Sequence, residues 1–127
     1  MSATAYAGGN TMFPVDAYLT ADLLCADTIT AFASGGQTNA TQLAAGHNNV
    51  TVVATAADSV KLPLAAPGLR VLVRNSAANS MQVFGAGTDT INAVATATGV
   101  AQAATTSALY YCVTAAPAGK WFRILSA

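Results

Sequence analysis

The sequence predicts an all-β protein, a compact antiparallel β-sandwich or barrel with an extended N-terminal arm. Two observations predict this class. From Val50 onward, short β-branched or aromatic runs alternate with Gly, Pro and Asn turn signals. Within Leu69-Arg-Val-Leu-Val-Arg-Asn, Leu69, Val71 and Val73 share one face while Arg70, Leu72 and Arg74 share the other, the period of a strand with one face in a core. The division drawn from this texture is an arm over residues 1–27 and a β-rich domain over 28–127.

Along the chain, Met1–Thr11 is small and polar, with Gly8-Gly9-Asn10, and predicts an arm ordered only by what holds it. Phe13-Pro14 through Cys25 fits a short helix, because Val15, Tyr18, Leu19 and Leu23 roughly follow helical spacing, and fits an extended arm equally well. Thr28-Ile-Thr-Ala-Phe-Ala reads as a strand and Ser34-Gly-Gly-Gln-Thr-Asn39 as a loop. His47-Asn48-Asn49 reads as a turn. Strands follow near Val50–Thr55, Ser59–Leu62, Leu69–Asn75, Ser80–Phe84, Asp89–Ala93, Ala108–Thr114 and Trp121–Leu125. Pro63 with Ala66-Pro67-Gly68, Asn75-Ser-Ala-Ala-Asn79, Gly85-Ala-Gly87 and Ala116-Pro117-Ala-Gly119 supply the turns between them.

The stretch Val83-Phe-Gly-Ala-Gly-Thr-Asp-Thr-Ile-Asn92 raises the question of a phosphate-cradling loop. A P-loop needs a Lys and a Ser or Thr opening a helix, and the dinucleotide form needs a third glycine where this chain has Thr90. The stretch therefore reads as a hairpin turn, with Asp89 capping the return and Ile91 facing the core. Asp58 and Asp89 each sit beside Ser or Thr at a turn-to-strand boundary, where a short carboxylate accepts from nearby backbone amides.

Composition limits the function classes. Only 8% of residues are charged, against about 25% in ordinary soluble domains, and the net charge is zero. Leu, Ile, Val and Phe make up about a fifth of the chain, so the core is short of large side chains. Such a chain gains by associating, and much of its surface is expected to be covered in the working state. Charge is also unevenly distributed. Residues 1–60 hold Asp16, Asp22, Asp27 and Asp58 without a Lys or Arg, and all five basic residues, Lys61, Arg70, Arg74, Lys120 and Arg123, follow.

His47 is the sole histidine, with Ser34 or Thr51 as the best candidate nucleophile near it and nothing in the spacing to orient them. Neither a catalytic set, a metal site nor a cofactor site is predicted. Zero net charge argues against a phosphate-tracking nucleic-acid surface. Polar residues interrupt the long uncharged stretches, so no membrane span is expected. With no basic residue before Lys61 the N-terminus lacks a secretory n-region, and synthesis in a cytoplasm is expected. Cys25 and Cys112 are expected as buried thiols in a reducing compartment, without a disulfide. In Tyr110-Tyr111 and Trp121-Phe122, neighbouring strand residues face opposite ways, so each pair is expected to place one ring in the core and one at the surface.

The run Val52-Val-Ala-Thr-Ala-Ala-Asp-Ser-Val-Lys-Leu-Pro63, then Gly68-Leu69, Val73-Arg-Asn75, Asn79, Val83-Phe84, Asp89-Thr-Ile-Asn92 and Gly119-Lys-Trp121, resembles a class of small tailed-bacteriophage virion proteins. The resemblance covers roughly residues 46–125. It implies a β-rich homotrimer of the capsid decoration (cement) type, binding the outside of the phage head and stabilising the major-capsid lattice. The partners implied are further copies of the chain and the major capsid protein, with the capsid surface of the virion as location. A tail-fibre, head-fibre or neck module touching a receptor or glycan is the alternative. The chain starts at Met1 and ends on a strand, which favours a decoration protein complete at this length over a fibre. The residues expected at the interface are Tyr6, Phe13 and Tyr18 in the arm and Arg70 and Arg74 on the strand face.

Overall fold

The structure is a computed structural model and describes residues 24–126. Strands and no helix form among them: β1 Cys25–Thr30, β2 Thr41–Gln42, β3 His47–Val52, β4 Ser59–Lys61, β5 Arg70–Asn75, β6 Met81–Phe84, β7 Thr90–Ile91, β8 Val100–Gln102, β9 Ser107–Thr114 and β10 Lys120–Leu125. A six-stranded sheet has the order β1-β3-β5-β9-β10-β7, and a four-stranded sheet the order β2-β4-β6-β8. Their inner faces share one core, in which Val50, Val71, Val73, Tyr110 and Trp121 from the larger sheet meet Val60, Met81 and Val83 from the smaller. The arrangement is a sandwich and not a closed barrel.

The expected antiparallel pairing holds for only part of it. β5 with β9, β9 with β10, and β6 with β8 are antiparallel. β1, β3 and β5 are parallel to one another, as are β2, β4 and β6, and β7 runs parallel to β10. The reason lies in the connections. From β1 to β9 every connection crosses from one sheet to the other, so β1 to β4 and β6 each lie beside the next but one in sequence. In the first half of the domain that strand runs in the same sense. Among the described residues only β9 and β10 form a hairpin between consecutive strands.

This winding overturns the hairpin expected in Val83–Asn92. β6 lies in the smaller sheet and β7 in the larger, so Gly85-Ala-Gly87 carries the chain across the sandwich. Ile91 is fully buried as expected, but β7 stops there because Asn92 and Ala93 take left-handed backbone angles, φ 52° and 59°. His47-Asn48-Asn49 is also corrected, from a turn to the start of β3. Asn48 points inward and its amide donates to the carbonyls of Ala45 (2.8 Å) and Leu72 (3.2 Å), which ties β3 to β5. β2 and β8 carry no sequence signal, being short and set among Ala, Thr and Gly.

Buried polar side chains hold the crossovers together. Asp58 accepts the Thr55 amide (3.0 Å) and the Ser34 amide (3.3 Å), linking the β3–β4 crossover to the β1–β2 crossover. Asp89 accepts the Ala65 amide (2.9 Å) and the Gly119 amide (2.8 Å). Asn79 donates to the carbonyls of Val53 and Ala54. Gln102, fully buried, donates to the Val73 and Thr106 carbonyls and accepts the Tyr110 hydroxyl at 2.7 Å. A core poor in large apolar groups thus holds its loops with satisfied polar groups, each of which would be costly if left unpaired.

Candidate interaction surface

The sites considered from the sequence are placed apart by the fold. The Gly85-Ala-Gly87 loop turns its carbonyls toward Gln37, whose side-chain amide donates to Gly85 O (2.6 Å) and Gly87 O (2.8 Å). Its Asp89 amide is taken by Ala86 O. A loop arranged around carbonyl oxygens offers an anion no cradle of amides. His47 stands on the outer face of β3, half-buried, with Thr51 four residues along the same strand at roughly 13 Å. Ser34 lies in the β1–β2 crossover with its amide on Asp58. Among the described residues no three His, Cys, Asp or Glu side chains gather as metal ligands.

A groove of about 590 Å³ runs beside the smaller sheet, lined among others by Ser34, Gly36, Asp58, Gln82, Phe84 and Gly99. Its best polar groups are already engaged. Asp58 accepts two backbone amides, and Ser59 closes the neighbourhood by donating to Gly36 O.

The outer face of the six-stranded sheet is different in kind. Strand alternation sends Val71, Val73, Ala108, Tyr110, Cys112 and Trp121 inward, and sends Arg70, Leu72, Arg74, Leu109, Tyr111, Val113, Lys120, Phe122 and Ile124 outward. Register then assembles them. His47, Leu72, Leu109 and Ile124 form one row across β3, β5, β9 and β10. Four strands at about 4.8 Å spacing make this row roughly 14 Å wide. Arg70, Tyr111 and Phe122 form the next row. The Tyr111 and Phe122 rings lie 6.0 Å apart, tilted by 34°. Leu72 is 39% exposed, Val113 47% and Ile124 60%, so the centre of the face is apolar and open.

No family model, curated protein or solved structure matches this chain. Arg70, Arg74 and Lys120 border the face and no carboxylate stands among its central residues. Arg74 reaches sideways to the Thr105 carbonyl at 2.8 Å. A contiguous apolar patch with a polar rim, on a chain this poor in charge, has the character of a contact surface.

Of the expected interface residues, Arg70 and Arg74 fall on this face. Tyr6, Phe13 and Tyr18 lie outside the described residues, as does the helix considered over Phe13–Cys25 except for Leu24 and Cys25, the second of which opens β1. The expected split of the aromatic pairs holds: Tyr110 and Trp121 are fully buried, and Tyr111 and Phe122 sit on the outer face. Cys112 is buried as expected and its thiol is pushed up by that burial, whereas Cys25 is exposed on the edge strand. The outward residues Leu109, Val113 and Ile124 were missed. Leu109 and Val113 share the parity of Tyr111, and Ile124 that of Phe122, which was the available signal.

Proposed function

We propose that the protein is a virion structural protein of the capsid decoration type. In this reading it assembles as a homotrimer, binds the outside of a phage head and stabilises the lattice of the major capsid protein. The observation that carries the reading is the open apolar face of Leu72, Leu109, Val113 and Ile124 with its basic border. The near absence of charge elsewhere and the ordered motifs between residues 46 and 125 support it. A protein that binds the assembled shell and not its separated subunits stabilises the shell by mass action.

Quantitative mass spectrometry of purified virions tests this directly. Hundreds of copies per particle are expected, and a handful would exclude a decoration role. One observation favours a second reading, a tail-fibre, head-fibre or neck module. The paired rings of Tyr111 and Phe122 are of the kind that stack on a sugar face. Low copy number together with glycan binding lost in Tyr111→Ala selects that reading.

A further inference from the structure

Gln82 and Phe84 lie on the outer face of the four-stranded sheet, because their neighbours Met81 and Val83 point into the core. Phe84 is only 6% exposed and yet stands outside the core cluster. The groove of about 590 Å³ opens over these two side chains, on the side of the sandwich away from Leu72, Leu109 and Ile124. The β1–β2, β3–β4 and β7–β8 connections wall it. Ser34, Ala57 and Ala97, one from each wall, take left-handed backbone angles of 79°, 76° and 62°. Such angles persist only where the surrounding structure holds them. Asp58 fixes two of the walls by accepting the Ser34 and Thr55 amides. The third approaches the floor at Gly99, where a Cβ would stand 2.9 Å from Gln82 Oε1 and 3.0 Å from Phe84 Cζ. A carboxamide and an aromatic ring thus meet at one end of the groove.

The groups left to a ligand are neutral. Asp58 is the one charged side chain in the lining, and it is buried and engaged by two amides. A charged ligand would lose water there without gaining a counter-charge. The Gln82 carboxamide makes no hydrogen bond among the described residues, and neither do the hydroxyls of Ser34, Thr55 and Thr98. A carboxamide offers donors and an acceptor side by side, which matches another amide, and hydroxyls match hydroxyls. An extended peptide also carries amides, but it docks by adding to a strand edge. The floor strand β6 is paired on both sides, with β4 and β8, so the groove offers no edge. Its volume lies within the range of small-ligand sites, about 300–1,000 Å³.

We propose that this groove binds an N-acetylated hexosamine of an uncharged glycan. The acetamido N–H and C=O pair with the Gln82 carboxamide, the acetyl methyl rests against Phe84, and the ring hydroxyls meet Ser34, Thr55 and Thr98. The site stays open when the outer face of the six-stranded sheet is covered, so it does not depend on the assembly reading of that face.

Saturation-transfer NMR of the full-length protein tests this, with the methyl glycosides of N-acetylglucosamine and N-acetylgalactosamine as probes. At least one should bind, with its acetyl methyl the most strongly saturated group. Methyl glucoside and methyl galactoside, which lack the acetamido group, should bind roughly tenfold more weakly. Gln82→Ala should weaken binding by roughly tenfold, the loss of one or two hydrogen bonds, with little change in the unfolding midpoint. Thr98→Ala, at an exposed position, is the second variant and should weaken it about threefold. Tyr111→Ala, on the far face, should leave binding unchanged. The inference is overturned if neither acetamido sugar binds, if the unacetylated sugars bind equally well, or if either groove variant keeps the wild-type affinity. Loss of binding in Tyr111→Ala overturns it too and places the sugar on the six-stranded sheet. N-acetylglycine methylamide binding as tightly as the sugars would assign the groove to a peptide and overturn the glycan.

Discussion

The Asp89 carboxylate accepts the Gly119 amide at 2.8 Å while its other oxygen accepts the Ala65 amide at 2.9 Å. One buried side chain therefore joins the loop before β5 to the turn between β9 and β10. Gly119 is required for the approach, because a Cβ there would meet Ala65 and would stand 2.8 Å from the Thr114 carbonyl. Asp89→Ala should leave two buried amides without acceptors and lower stability by about 2–4 kcal/mol. Urea denaturation measures this, and a loss below about 0.5 kcal/mol would contradict the role given to Asp89.

Gly85 and Gly87 should respond differently to alanine. A Cβ on Gly85 would stand 2.5 Å from the Asp89 carbonyl oxygen and 2.9 Å from its carbon, both backbone atoms. At Gly87 nothing lies within 4 Å, and only the left-handed φ of 55° resists a side chain. Gly87→Ala should cost about 1–2 kcal/mol, the strain of that backbone angle. Gly85→Ala should cost more, because part of the β6–β7 crossover must move. Equal unfolding midpoints for the two variants would contradict this ordering.

Burial pushes the Tyr110 hydroxyl up to about 12, against an opposing pull from Arg123. Below about pH 10 the tyrosine is neutral in both the folded and the unfolded chain, so its ionisation leaves stability unchanged. Between about pH 10 and 12 only the unfolded chain ionises there, and stability falls by about 2–3 kcal/mol. Tyr110→Phe removes this alkaline component. At neutral pH the same variant leaves the buried Gln102 oxygen without its 2.7 Å donor, costing about 1–3 kcal/mol. Stability curves of the two proteins that stay parallel from pH 9 to 12 would refute the assignment.

Ile124→Asp on the outer face should change monomer stability by no more than about 0.5 kcal/mol, since Ile124 is 60% exposed. It should nonetheless abolish association or shell binding, because a charge would be buried in the contact. Sedimentation of the variant with and without its partner surface measures both effects. Retained binding would remove this face from the assembly.

A thiol reagent should modify one cysteine per folded chain and two after unfolding. Cys25 is exposed, whereas Cys112 is buried with its thiol pushed up, which lowers the fraction of reactive thiolate. Mass spectrometry of the labelled peptides identifies the site, and fast labelling of Cys112 in the folded chain would contradict the packing.

The amino-acid sequence by itself determined the all-β class, the strands from Ser59 to Phe84 and from Ala108 to Leu125, and the direction of their side chains. These properties are local. A period of two sorts Val71 from Leu72 and Tyr110 from Tyr111 wherever the strand sits, and Pro67-Gly68 or Asn75–Asn79 ends a strand in any fold. The backbone-capping roles of Asp58 and Asp89 were legible for the same reason, although their amide partners were not. Which sheet each strand joins was decided only by the tertiary structure. The choice depends on whether a connection turns back beside its own strand or crosses the core, and a Gly-x-Gly turn permits both. Here Gly85 lies against Asp89 and Gln37 holds the loop carbonyls, so Val83–Asn92 crosses from one sheet to the other. Lateral order likewise placed Leu72, Leu109 and Ile124 in one row, though 52 residues separate the first from the last. Cross-strand neighbours are set by register between distant segments, which no local pattern records.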